Sequence, residues 1–221
     1  MGLNARPKPS PVRLTLKQRR ALSICEYYSA RMAREAIVPG QAYWFAFWLE
    51  WSQNVRAYVE LPSNPDNPEA KLADFWVQTA DDEFLLDVEF GERPKDIRPA
   101  SDPWALKEDG FQPASEGATS RITPRWLWAR RSLLHELEGL HPFAVAARLQ
   151  GGLKAQCARL LSGFSAESES LDDLCRRVDA PPYVTQCAVM HLLRTGKVTV
   201  DWGQGLSMRS RFEKVSHAPQ G

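Results

Sequence analysis

The sequence predicts an α/β protein with a mixed-sheet core, followed by a small helix-turn-helix domain with a wing. Three observations carry that expectation. The run 43–51, Tyr-Trp-Phe-Ala-Phe-Trp-Leu-Glu-Trp, is apolar nearly all round, as a buried helix would be. Behind it come strand-like segments at 55–61, 73–78 and 83–90, the last two joined by the short turn 79–82. Finally, residues 170–212 repeat the order helix, turn, helix, strand, turn, strand.

The bounds are those of a folded globular chain. Its 221 residues are enough to bury a core, and 43% of them are hydrophobic, with eight tryptophans. No run of about 18 apolar residues is present, and the start is rich in Pro and Arg without an apolar stretch. We therefore expect no membrane span, no signal peptide and a cytoplasmic location. Cys25, Cys157, Cys175 and Cys187 form no CxxC pair, which speaks against a zinc ribbon or a disulfide framework and for buried free thiols.

A net charge of +1 conceals a polarity along the chain. Residues 1–20 hold six basic side chains and no acid; residues 60–116 hold fifteen acids against five bases; residues 117–221 hold fourteen bases against nine acids. Basic ends and an acidic middle suit a protein that touches nucleic acid and holds cations at its centre; the plain alternative is a set of solvated faces.

In chain order, residues 1–14 read as a disordered, basic, Pro-rich arm, suited to phosphate contact or to solubility. Residues 15–36 show an apolar stripe at helical spacing, ended by Pro39-Gly40. The aromatic helix is expected to span about 43–54. Glu50 is its one charge, either a boundary residue paired with an arginine such as Arg56 or an inward functional group. A strand at 55–61 and a Pro/Asn/Asp-rich loop at 62–68 follow.

Asp74 lies in the nearly continuous apolar run 72–77, the pattern of a strand covered on both faces. In the next strand Asp87 and Glu89 share one side, because side chains alternate with period two. Buried carboxylates are costly unless paired, hydrogen-bonded or bound to a cation. Two on one strand face opposite a third on its neighbour would suit Mg2+ or Mn2+, which favour oxygen ligands and can promote phosphodiester hydrolysis.

These residues carry a resemblance. A helix with an inward Glu, an Asp on a strand, and a hairpin to a strand bearing an acidic pair resemble the PD-(D/E)XK nuclease core of restriction-endonuclease-like folds. The order of elements over roughly residues 40–215 resembles the TnsA-type endonuclease subunit of heteromeric cut-and-paste transposons. The resemblance implies catalytic Glu50, Asp74 and Glu89, with Asp74 and Glu89 holding the metal; Asp87, on the same strand face as Glu89, either ligates it too or orients. The chain departs from the pattern at Gly91, where the family lysine falls if Glu89 opens the last motif. In the other register Asp87-Val88-Glu89 is the motif and Glu89 replaces the lysine, as in a few restriction enzymes of the superfamily. Lys71 or Lys95 would then fold in from nearby.

Residues 92–117 form an acidic, Pro-rich connector with a short helix expected at 104–107. A strand at 119–123 leads into a helix opened by Thr123-Pro124, whose Arg125, Arg130 and Arg131 are candidate phosphate contacts. Residues 142–161 read as helix broken at Gly151-Gly152. Ser170 caps a helix with early acids, Asp179 to Pro182 turns the chain, and 184–195 is a second helix ended by Gly196. A strand at 197–202, a turn at 203–205 and Arg209 to Phe212 make the wing. The second helix lacks a basic cluster, so Arg209 and Arg211 on the wing are the candidate DNA contacts there. His135, His141 and His191 have no acidic or Cys partner at ligand spacing and read as structural.

The expected organisation is an arm at 1–14, a nuclease-like domain at 15–141, a winged-helix-like domain at 142–216 and a tail at 217–221. Three functions stay open. The first is a Mg2+-dependent endonuclease nicking DNA at transposon ends beside a transposase. The second is a catalytically lapsed subunit bridging DNA, transposase and an AAA+ ATPase, which the resemblance docks on the C-terminal domain. The third is a winged-helix transcription regulator.

Overall fold

The computed structural model describes residues 9–21, 23–114, 119–164, 168–202 and 205–215. Most of the expected arm, the tail, and Gly203 and Gln204 of the expected wing turn lie outside the described residues. The chain forms two compact units. One comprises residues 1–28, 35–49 and 54–130, the other residues 29–34, 50–53 and 131–221. The protein is mixed α/β, as expected.

The first unit is built on a five-stranded sheet of order β3-β6-β7-β9-β8. Strands β3 (Val55–Glu60), β6 (Phe75–Thr79) and β7 (Glu83–Val88) form an antiparallel meander. Strand β9 (Ser120–Ile122) joins β7 in parallel, and β8 (Phe111–Gln112) pairs antiparallel with β9. Helix α2 (Tyr43–Trp51) supplies the core. Phe45 and Trp48 are sealed from solvent and stack at 5.7 Å. Both meet Trp126 of α3 (Pro124–Ala129) edge-on, at 5.3 and 5.4 Å, and Phe45 meets Phe75 of β6 at 5.5 Å. Such ring pairs add roughly 0.5–1.5 kcal/mol each beyond the area they bury.

Four expectations are corrected in this unit. Residues 15–36 are not one helix: α1 (Leu16–Ala21) is short, and β1 (Ile24–Ser29) and β2 (Arg34–Pro39) form a hairpin. The two segments carry Ile24, Tyr27, Tyr28, Ile37 and Val38, β-branched or aromatic residues that favour strand, and pairing them outweighs a helical stripe. The end of the arm is not free either, since Val12 N–H donates to Leu61 O at 2.9 Å and Ser63 N–H to Ser10 O at 2.8 Å. The stretch 62–68 is not all loop; β4 (Ser63–Asn64) and β5 (Asn67–Lys71) pair there. Residues 104–107 form turns rather than a helix.

The second unit contains α4 (Arg131–Leu149), α5 (Leu153–Gly163), α6 (Leu171–Arg177) and α7 (Pro182–Arg194). A small antiparallel sheet of order β10-β12-β11 unites β10 (Glu169–Ser170), β11 (Val198–Val200) and β12 (Arg211–Lys214). Its centre is α7, whose Thr185, Cys187, Ala188 and Val189 are sealed. Ser170 caps α6 as the sequence suggests, its Oγ accepting from Asp173 N–H at 3.1 Å. The expected boundary at 141/142 falls inside α4, which runs through Pro142; the units divide at 130/131 instead. Thr123 makes no side-chain cap on α3; its hydroxyl donates to Gly110 O at 2.8 Å.

Candidate acidic site

Sheet register sets the site. Phe75 pairs with Leu86, so Asp74, one step before β6, stands across from Asp87 near the end of β7. The two carboxylates are woven into the strand ends by backbone and side-chain donors. Asp74 N–H donates to Asp87 Oδ1 at 3.1 Å, and Val88 N–H donates to Asp74 Oδ2 at 2.9 Å. Thr119 Oγ1 donates to Asp87 Oδ2 at 2.8 Å. Lys71 Nζ lies 2.6 Å from Asp74 Oδ1, a close ion pair between a half-exposed ammonium and a carboxylate that is almost fully buried. Lys71, one of the two lysines proposed to fold in, does so; exposed Lys95 forms no ion pair among the described residues.

The other expected members take different partners. Glu89 pairs with Arg121 across β7 and β9, at 3.2 Å, with its side chain 40% exposed. Glu50 is sealed: its carboxylate accepts from the Ser29 hydroxyl and from Arg31 N–H at 2.9 Å. The Arg31 guanidinium also donates to Glu50 O and Ser52 O at 3.0 and 2.8 Å. Thus Asp74 and Asp87 are brought together, while Glu50 and Glu89 are each engaged in contacts of their own. Among the described residues, no group of three or more His, Cys, Asp or Glu is placed to hold a metal ion.

Asp74 and Asp87 can nevertheless be tested against Mg2+. That ion keeps several waters and is commonly held by only one or two carboxylates. Each carboxylate oxygen can accept twice, so the four bonds above leave acceptor capacity on both groups. By ligand count the pair matches a two-carboxylate Mg2+ site and does not fit an all-protein cage. At Gly91 a Cβ would lie 2.8 Å from Pro124 Cγ, so a side chain there requires that ring to shift.

Of the expected phosphate contacts, Arg130 is corrected. Its side chain is fully buried, pairs with Glu108 at 3.0 Å, donates to Pro103 O and Ala105 O, and stacks 4.1 Å from the Trp126 ring. Burial lowers its pKa, and Glu108 opposes the shift. Arg125 pairs with Asp109. In the second unit Arg131 and Arg209 are exposed, and Arg211 Nε donates to Ser168 Oγ at 2.7 Å.

The sequence held a local signal for Lys71 and Asp74, which are three residues apart. It held none for Ser29 and Arg31 against Glu50, or for Thr119 against Asp87, because those pairings depend on tertiary structure. Compared with known proteins, the chain matches no family model, no curated protein and no solved structure.

Proposed function

We propose that this chain is a DNA-acting subunit of a cut-and-paste transposition system, a metal-dependent endonuclease of restriction-endonuclease-like architecture. The observation that carries the reading is the cross-strand pair Asp74 and Asp87, near the end of an antiparallel meander, with Lys71 on Asp74. The parallel addition of β9 to β7 supports the nuclease-like core, and the order β10-α6-α7-β11-β12 supports a winged-helix-like second unit. Asp74 and Asp87 would hold Mg2+ or Mn2+, which would supply Lewis-acid neutralisation of charge on the scissile phosphate. Lys71, half in solvent, would meet the same phosphate with a point charge. The transposase and AAA+ ATPase partners belong to the same proposal and rest on the resemblance alone.

A second reading is favoured by the partners the acids already have. With Lys71 on Asp74, Arg121 on Glu89, and Ser29 and Arg31 on Glu50, the chain also suits a lapsed subunit that binds DNA without cutting. One assay separates the two. The purified chain and its transposase are incubated with transposon-end DNA and Mg2+ or Mn2+. The enzyme reading expects strand cleavage that falls about a thousandfold or more in Asp74→Asn and Asp87→Asn, since a metal supplies several kcal/mol and each 1.4 kcal/mol is tenfold. Absence of cleavage with DNA binding intact selects the lapsed subunit; cleavage unchanged by both substitutions overturns the site.

A further inference from the structure

We infer that the first unit carries a stacking slot for one unpaired base of a DNA strand, at Phe90 just past the end of β7. The inference rests on the DNA-acting reading above for the identity of its ligand. Phe90 follows Glu89 directly, and its ring is 79% exposed, the most exposed large apolar side chain described in the protein. It borders a cavity of about 190 Å³ walled by Tyr43 and Trp44 at the start of α2, and by Pro124 and Trp128 of α3. Gly91 forms part of the wall with bare backbone, where a Cβ would strike Pro124. Drug-sized ligands occupy roughly 300–1,000 Å³, so this slot suits a single planar ring system.

One cation at the wall, and two more further along the same stretch of chain, choose between possible occupants. The Arg93 guanidinium sits 6.0 Å from the centre of the Trp128 ring. From there the chain passes Lys95 and Arg98 and returns to α3, where Ala100 N–H donates to Ala129 O at 3.1 Å. Arg93, Lys95 and Arg98 are exposed and form no ion pair among the described residues; Glu92 and Asp96 are exposed on the same strap, which keeps a positive balance. Aromatic grooves also take proline-rich peptides. A polyproline ligand has no use for this cationic border, whereas a strand needs both parts: rings for its base and cations for its phosphates.

The test is fluorescence anisotropy of a labelled oligothymidylate with the full chain in EDTA, where no cleavage intervenes. The wild-type chain binds, with quenching of tryptophan emission. Phe90→Ala, an exposed change that leaves the core alone, weakens binding roughly 5- to 150-fold, the range for loss of one stacked base. Arg93→Ala makes the salt dependence shallower by about 0.7 in log–log slope, as loss of one single-strand phosphate contact requires. Equal binding by wild type and Phe90→Ala overturns the slot, as does failure of the oligonucleotide beside quenching by a proline-rich peptide. Lost slot binding with cleavage intact removes this inference alone; slot binding without cleavage keeps it and removes the enzyme reading.

Discussion

Arg130 is the residue whose loss the first unit tolerates least. Its guanidinium is enclosed, and the partners it satisfies, Glu108 and the Pro103 and Ala105 carbonyls, are spread along the connector that precedes β9. Removing one member of a buried ion pair costs about 3–5 kcal/mol, and since Glu108 keeps Ser101 Oγ and Asp102 N–H as donors the lower end of that range, about 3 kcal/mol, is expected here. Arg130→Ala should therefore lower the unfolding free energy by that much, read as a lower denaturant midpoint at unchanged m-value; a loss below about 1 kcal/mol would show the pair to be dispensable. Gly110 acts by having no side chain. With φ at +92° and a would-be Cβ 2.3 Å from Trp126 N, it brings its carbonyl to the Thr123 hydroxyl. Gly91→Lys would put a lysine where the resemblance calls for one, but its Cβ would push on Pro124. We expect lowered stability and no gain in cleavage, measured on the same preparation.

At the scale of elements, α6 offers a clean check of local physics. Ser170→Ala removes the Oγ that accepts from Asp173 N–H and should cost about 1 kcal/mol in thermal or chemical unfolding. This cap was legible because capping is a matter of three adjacent residues. The strands 55–60, 75–79 and 83–88 were legible for a similar reason, alternation or continuous apolarity bounded by turns. The hairpin 24–39 was not: its apolar residues satisfy a helical stripe as well as a strand pattern, and only its pairing partner decides. The acids divide along the same line. Asp74 facing Asp87 follows from a tight hairpin whose register the turn fixes, whereas the engagement of Glu50 by residues about twenty positions earlier has no local trace.

At the scale of the whole chain, stability should depend on acidity through His191. Burial lowers its pKa from the ordinary 6.5, and Arg194 and Arg148 push the same way. The unfolded chain then binds a proton that the folded chain refuses between the lowered value and 6.5, so stability rises with pH across that window and falls as the medium is acidified. His191→Gln should flatten the slope of unfolding free energy below pH 6.5 relative to wild type; an unchanged slope would assign it to other groups. The charge polarity is also a whole-chain property. DNA affinity that weakens steeply with added salt would show that exposed cations, and not net charge, set association.

The parallel seam between β7 and β9 has a bearing on biosynthesis. β7 ends at Val88 and its neighbour begins only at Ser120, after a proline-punctuated excursion. On the ribosome the meander can zip while that later segment is still being made, leaving one flank of the nascent sheet without its mate. That flank is where Asp87 awaits Thr119 and Glu89 awaits Arg121. Asp87 and Glu89 therefore gain these two partners last, and a chain arrested before Thr119 would lack both on an open, aggregation-prone edge.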